Sequence, residues 1–138
     1  MKSSLPKVRI GLVGLGVVGQ GVWKHVQSRR KQLAAHAGAE LILHKAAVKD
    51  LSRSRDIRVP AAKLTEDALS VATDREVDIV CELMGGIKLA KKVTLAALAN
   101  GKTVVTANKA LLAEHGEEIF AAAEAGGGRV FFESAVAG

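Results

Sequence analysis

The spacing of apolar and polar residues changes period along the chain, and each change marks an element. Val8-Arg9-Ile10-Gly11-Leu12-Val13 reads as a strand buried on both faces. Beyond it, Val22, Val26 and Leu33 recur at helical spacing, which predicts a helix over 19–37. Gly38 suits the left-handed position that ends such a helix. Leu41, Ile42, Leu43, Ala46 and Ala47 define a second strand over 40–48, followed by a polar, basic segment from Lys49 to Arg58 and then Pro60. Thr65-Glu66-Asp67 predicts a short helix with Thr65 as its N-cap and acids in the first turn. A third strand over 77–83 runs into Met84-Gly85-Gly86, and a helix over 88–100 stops at Gly101. A fourth strand, 103–106, precedes a helix over 109–125 with Leu112, Ile119, Ala122 and Ala123 facing inward. Gly126-Gly127-Gly128 then releases the chain into a fifth strand, 129–133.

This alternation, with short connections and no internal repeat, predicts one α/β domain over 1–138. Its architecture is a Rossmann-type, doubly wound and mostly parallel sheet with helices on both faces. With three Phe, one Trp and no Tyr, the core has to be built from Val, Leu, Ile and Ala. No apolar run approaches the roughly 18 residues of a membrane span, and the N-terminus has no signal-peptide core, which points away from membranes and to the cytoplasm. The single cysteine, Cys81, allows no intramolecular disulfide, and its apolar surroundings make it a buried, inert thiol. The net charge is +6. Arg29, Arg30 and Lys31 fall in the last turns of the predicted first helix, where cations favour the dipole. Lys49, Arg53, Arg55, Arg58 and Lys63 follow the second strand. No aromatic residues are interleaved with them and no nucleic-acid-binding pattern is present, so no nucleic-acid partner is expected.

The first strand leads straight into Gly14-Leu15-Gly16-Val17-Val18-Gly19 and the first helix. In a Gly-x-Gly-x-x-Gly of this context, Gly14 permits the tight turn, Gly16 lets a pyrophosphate approach the backbone, and Gly19 lets the helix pack closely. Unpaired amides and the positive helix end then face the phosphates of a dinucleotide; the plain alternative is a tight βα turn. Gly14–Gly19, Lys49-Asp50, Met84–Gly86, Thr106–Lys109 and Glu133–Gly138 all fall at carboxyl ends of strands, where such sheets bind ligands. Lys49 stands where an acid would select NAD, and Arg53 and Arg55 follow it. Cations there pair with a 2′-phosphate, which favours NADP. Asp50 still offers a carboxylate to ribose hydroxyls, so NAD stays open, and a solvated basic loop is the alternative for Arg53–Arg58.

Thr106-Ala107-Asn108-Lys109-Ala110-Leu111-Leu112-Ala113 resembles a signature of homoserine dehydrogenases. The glycine loop, Cys81-Glu82-Leu83-Met84-Gly85-Gly86 and Phe132-Glu133-Ser134-Ala135-Val136-Ala137-Gly138 agree with it in order and spacing. The resemblance implies NAD(P)-dependent interconversion of L-aspartate 4-semialdehyde and L-homoserine, on the route to threonine and methionine. It implies that Lys109 lies at the nicotinamide and substrate edge, and that Thr106, Met84, Gly85 and Gly86 line the nicotinamide half through their backbone. It further implies that Glu133, Val136 and Gly138 belong to a sodium site, incomplete here; a helix-capping carboxylate is the alternative for Glu133. The family's substrate and dimerisation region, with the lysine and aspartate of its proton relay, has no counterpart in these residues. The chain is therefore expected to be the cofactor-binding half of a monofunctional enzyme: a monomer by itself, a homodimer or tetramer when full-length. Two other readings stand beside it, a related amino-acid dehydrogenase such as aspartate dehydrogenase, and a non-enzymatic dinucleotide-sensing module. His115, before Gly116, reads as a helix or turn residue rather than an acid–base group.

Overall fold

A computed structural model describes residues 5–132. Six strands, β1 (Lys7–Val13), β2 (Glu40–Ala47), β3 (Leu64–Thr65), β4 (Ile79–Glu82), β5 (Thr103–Thr106) and β6 (Arg129–Phe131), form one sheet in the order β3-β2-β1-β4-β5-β6. Every pairing is parallel. The helices are α1 (Val17–Ser28), α2 (Arg30–Ala37), α3 (Ala68–Thr73), α4 (Lys88–Ala99) and α5 (Lys109–Gly126), with a 3-10 turn at Ala61–Lys63. The order reverses direction at β1, which is the doubly wound Rossmann arrangement expected from the sequence.

Alternation along the strands splits the core into two layers. Val13, Ala47, Val80 and Val104 pack on α3, α4 and α5 through Val71, Val93, Leu98, Leu111 and Ile119. Ile10, Leu12, Leu43 and Ala46 pack on the opposite face against Trp23 and Val26 of α1, with Leu33 of α2 at the margin. A fully buried Val or Leu stabilises the fold by about 1.5–3 kcal/mol, so these two layers fix the strand ends that carry the site.

Three expectations are corrected. The first helix is two helices that meet at Arg29 (φ −114°, ψ 28°), and it begins at Val17 rather than Gly19. Arg30 and Lys31 therefore open α2 instead of closing α1, and the dipole argument does not apply to them; Arg30 pairs with Glu40. Thr65 is not an N-cap. It belongs to the short edge strand β3, paired with Ala47, while Asp67 caps α3 by accepting from the Ser70 amide at 3.2 Å. The sheet thus gains a sixth strand, and the expected fifth strand appears as β6, which ends at Phe131; Glu133, the expected last residue, lies outside the described residues. Among the described residues, no helix is long and apolar enough to cross a membrane.

Candidate cofactor site

A cleft of about 280 Å³ opens at the carboxyl edge of the sheet. Its walls come from the turn after β1 (Gly14, Leu15, Gly16), the segment after β2 (Lys49, Asp50, Arg53, Arg55) and the segment after β4 (Leu83, Met84, Gly85). Leu89 of α4 adds an apolar edge.

The three glycines have different surroundings. Gly14 has φ +107°, and a Cβ there would stand 2.9 Å from the Leu83 carbonyl oxygen, so both conformation and space require glycine. A Cβ on Gly19 would lie 2.1 Å from the Gly14 carbonyl oxygen. Gly19 thus lets α1 lie against the turn itself rather than against a sheet strand. A Cβ on Gly16 would meet no heavy atom within 4 Å. The empty space over Gly16 faces the start of α1, where no side chain caps the amides and no acid occupies the first turn. By contrast, Asp67 caps α3 and Asn108 caps α5. Uncapped amides at a helix start are a ready partner for an anion.

On the β2 side, Lys49 and Asp50 are exposed. One Asp50 oxygen accepts from the Ser52 hydroxyl at 2.6 Å and from its amide at 2.9 Å. Those two bonds, with smaller help from the Arg55 and Arg53 charges, hold its carboxyl below the usual range. The Arg55 guanidinium donates to the Asp50 and Arg53 carbonyl oxygens at 2.8 and 2.9 Å, folding this basic loop on itself. On the opposite side, Glu82 is fully buried at the end of β4. It accepts from the Thr106 hydroxyl at 2.8 Å and the Met84 amide at 3.0 Å. Burial raises its carboxyl above the ordinary value, and hydrogen bonds from Thr106, Met84 and Asn108 offset only part of that rise. Asn108 also donates to the Gly86 carbonyl oxygen at 2.6 Å. The turn after β4 and the start of α5 are thereby held together.

Of the residues singled out in the sequence, Gly14, Leu15, Gly16, Lys49, Arg53, Met84 and Gly85 line one cleft. Val17, Val18, Gly19, Gly86, Thr106 and Lys109 do not line it. Val17 and Val18 are exposed apolar residues on the first turn of α1, and Gly19 supports the turn from behind. The Thr106 side chain is buried against Glu82, which leaves its backbone at the strand end. Lys109 is the exposed first residue of α5, next to Asn108. Glu133, Val136 and Gly138, the residues of the expected sodium site, lie outside the described residues. Cys81 lies in β4 on the α1-facing layer, half-buried rather than fully buried as expected, and burial pushes its thiol up to about 11. His115 is the kink residue of α5, with φ −129° and ψ 19°. The sequence assigned no role to Glu82 or Asn108, to Glu66, which lines the cleft and accepts from the Leu51 amide at 3.1 Å, or to Gln20, which donates to the Leu15 carbonyl oxygen at 3.0 Å. A lone acid in an apolar strand was the available signal for Glu82, whereas nothing in the local pattern pointed to Gln20.

The profile described as "Homoserine dehydrogenase, NAD binding domain" matches residues 14–133. The chain belongs to the homoserine dehydrogenase family. It is 40% identical over 131 residues to the homoserine dehydrogenase of Bacillus subtilis (strain 168), a match covering 95% of this chain and 30% of the relative. Its fold superposes on a crystal structure of a homoserine dehydrogenase from Thiobacillus denitrificans with a TM-score of 0.89 at 42% identity, covering 98% of this chain and 31% of that one. A hyperthermophilic archaeal homoserine dehydrogenase in complex with NADPH shares the fold at a TM-score of 0.71 and 21% identity, over 93% of this chain and 44% of that one. This chain thus spans about 30% of the length of its curated homoserine dehydrogenase relatives. It corresponds to the family's nicotinamide-dinucleotide-binding domain.

Proposed function

We propose that this chain supplies the cofactor half of a homoserine dehydrogenase that reduces L-aspartate 4-semialdehyde to L-homoserine in the cytoplasm, with NADP preferred over NAD. The observation that carries the reading is the open space over Gly16, continuous with a cleft whose far wall bears Lys49, Arg53 and Arg55. The residues fit the cofactor: a pyrophosphate over Gly16 would receive the uncapped amides of α1, and the basic loop would hold a 2′-phosphate by charge-assisted bonds. Met84 and Gly85 would border the nicotinamide half, kept in place by Glu82 and Asn108. When bound, the reduced nicotinamide supplies a hydride to the aldehyde carbon. Lys109 would polarise the aldehyde oxygen from the start of α5, where an ammonium beside a positive helix end favours an anionic neighbour. Glu133, Val136 and Gly138 would contribute oxygen ligands to a sodium ion, a hard cation suited to such donors. The chain by itself would be a monomer, and the whole enzyme a homodimer or tetramer.

Titration of this chain with NADPH and NADH, followed by calorimetry, tests the reading. Saturable binding with NADPH the tighter ligand is expected, while homoserine oxidation by this chain stays undetectable. Absence of saturation by either dinucleotide overturns the cofactor assignment, and clear turnover overturns its restriction to the cofactor half.

A further inference from the structure

The two walls of the cleft are joined by one side chain. Gln20 lies in the second turn of α1, immediately after the third glycine, and is half-buried. Its Nε2 donates to the Leu15 carbonyl oxygen at 3.0 Å, inside the glycine loop. Its Oε1 accepts from the Asp56 amide at 2.9 Å, at the end of the basic loop. The orientation of the amide is dictated by its partners, because a carbonyl can only accept and a backbone N–H can only donate. Asp56 follows Arg55, whose guanidinium in turn holds the Asp50 and Arg53 carbonyls. A continuous line of hydrogen bonds therefore runs from the phosphate-facing turn through Gln20 to the cationic loop. That loop lies in the long connection between β2 and β3 and has no strand or helix of its own; besides Gln20, the Leu51 amide donates to Glu66 at 3.1 Å and Ile57 and Val59 pack on the core, but among the described residues only Gln20 ties it to the glycine loop.

We propose that Gln20 is a positioning residue that sets the basic loop at the height of the glycine loop, and so determines preference for a 2′-phosphorylated dinucleotide. This rests on the reading of the cleft as the dinucleotide site. The glycine loop grips a pyrophosphate whichever dinucleotide is present. Only the 2′-phosphate draws on Lys49 and Arg53, whose loop Arg55 holds in shape. Without Gln20, ordering of that loop must be met by the binding reaction itself, and the loss falls on the 2′-phosphorylated ligand alone.

The test compares the full chain with Gln20→Met, which keeps length and removes both bonds, and Gln20→Glu, which keeps the Asp56 bond and sets a carboxylate against the Leu15 carbonyl. Affinities for NADPH and NADH are read from quenching of the single Trp, Trp23, with the melting temperature of each unliganded variant measured alongside. In Gln20→Met, NADPH affinity is expected to fall ~5–10-fold, the scale of one or two net hydrogen bonds, while NADH affinity changes less than ~2-fold, because the glycine turn loses only the bond to Leu15 and keeps the close contacts at Gly14 and Gly19 that shape it. Gln20→Glu adds a charge that weakens both dinucleotides, so its NADPH-to-NADH affinity ratio, rather than either affinity, should fall between those of the unmodified chain and Gln20→Met. A proportional loss of both affinities, or no loss, overturns the positioning role, since a merely structural glutamine would not move the NADPH-to-NADH ratio. Failure of the unmodified chain to bind either dinucleotide overturns instead the reading of the cleft. If Gln20→Met melts far below the unmodified chain, the isosteric Gln20→Glu decides by the same ratio.

Discussion

At the scale of single residues, Gly16 and Gly19 separate what the glycine motif does for the fold from what it does for a ligand. Gly16 has an ordinary negative φ of −78° and open space where a side chain would go. An alanine there forfeits only part of an N-cap preference, about 1 kcal/mol or less. Its methyl would nevertheless stand where phosphate oxygens need to approach the backbone. Gly16→Ala is therefore expected to melt within a few degrees of the unmodified chain while NADPH affinity drops by about tenfold or more, the effect of a displaced bond network on the pyrophosphate. Gly19→Ala has to push the Gly14 carbonyl away, because 2.1 Å is far inside contact distance. Overpacking of this kind costs about 1–3 kcal/mol, so stability and affinity should fall together. Calorimetric titration and thermal melts of both variants check the pair. Equal behaviour of the two alanines would remove the distinction. The residue types and their spacing were readable from the sequence; that Gly19 meets the motif's own carbonyl was not, because spacing does not show how the turn folds back.

Between elements, the buried Glu82 joins β4, β5 and the start of α5, and its titration should be visible in the stability of the domain. Its carboxyl is raised in the folded state, chiefly by burial. Stability from this group is fully present below the unfolded value near ~4.3 and is lost as pH rises through the raised folded value. Asp74 runs the other way. Burial would raise it, but the Glu76 amide and the charges of His44 and Lys45 hold it low, so its contribution is lost as pH falls through the depressed folded value. Glu82→Gln should leave the acid limb unchanged and flatten the decline that sets in above the unfolded value near ~4.3, read as the difference in urea midpoint between mildly acidic and neutral buffer. A midpoint difference identical to that of the unmodified chain would show that Glu82 keeps its ordinary titration. Apolar periodicity revealed most of these elements, since each strand and helix of the two core layers buries a regular stripe. It failed where tertiary contacts decide. The two-residue β3 is too short to have a period, and the break at Arg29 falls inside a continuous helical pattern with no Gly or Pro to mark it. In β2, Ile10 pairs with Leu43 but Gly11 with Lys45, so His44 is an inserted residue and both His44 and Lys45 reach Asp74. No local pattern announces such a bulge.

For the molecule as a whole, the cleft draws residues from Val13 to Leu89, so a bound ligand joins elements far apart in the chain. The strand-end location was legible because alternation of strands and helices dictates which edge collects the loops. The wall contributed by Glu66 and the clamp at Gln20 were not, being set by how two loops face each other. A ligand that bridges these segments binds the folded state and not the unfolded one, and at a hundred times its dissociation constant it stabilises by about 2.7 kcal/mol. For a domain of this size that corresponds to a rise in Tm of roughly 10 °C. Thermal melts over increasing NADPH should therefore show Tm climbing with the logarithm of concentration, and NADH at equal concentration should shift it less. Lys49 and Arg53 are exposed, so their attraction for a 2′-phosphate is screened by salt, whose Debye length falls to about 4 Å near 0.5 M. Raising the salt to that level should narrow the gap between the two dinucleotides while leaving a shift common to both, from amide contacts to the pyrophosphate. A gap insensitive to salt would mean that shape rather than charge distinguishes them, and equal shifts at low salt would place the basic loop outside the binding reaction altogether.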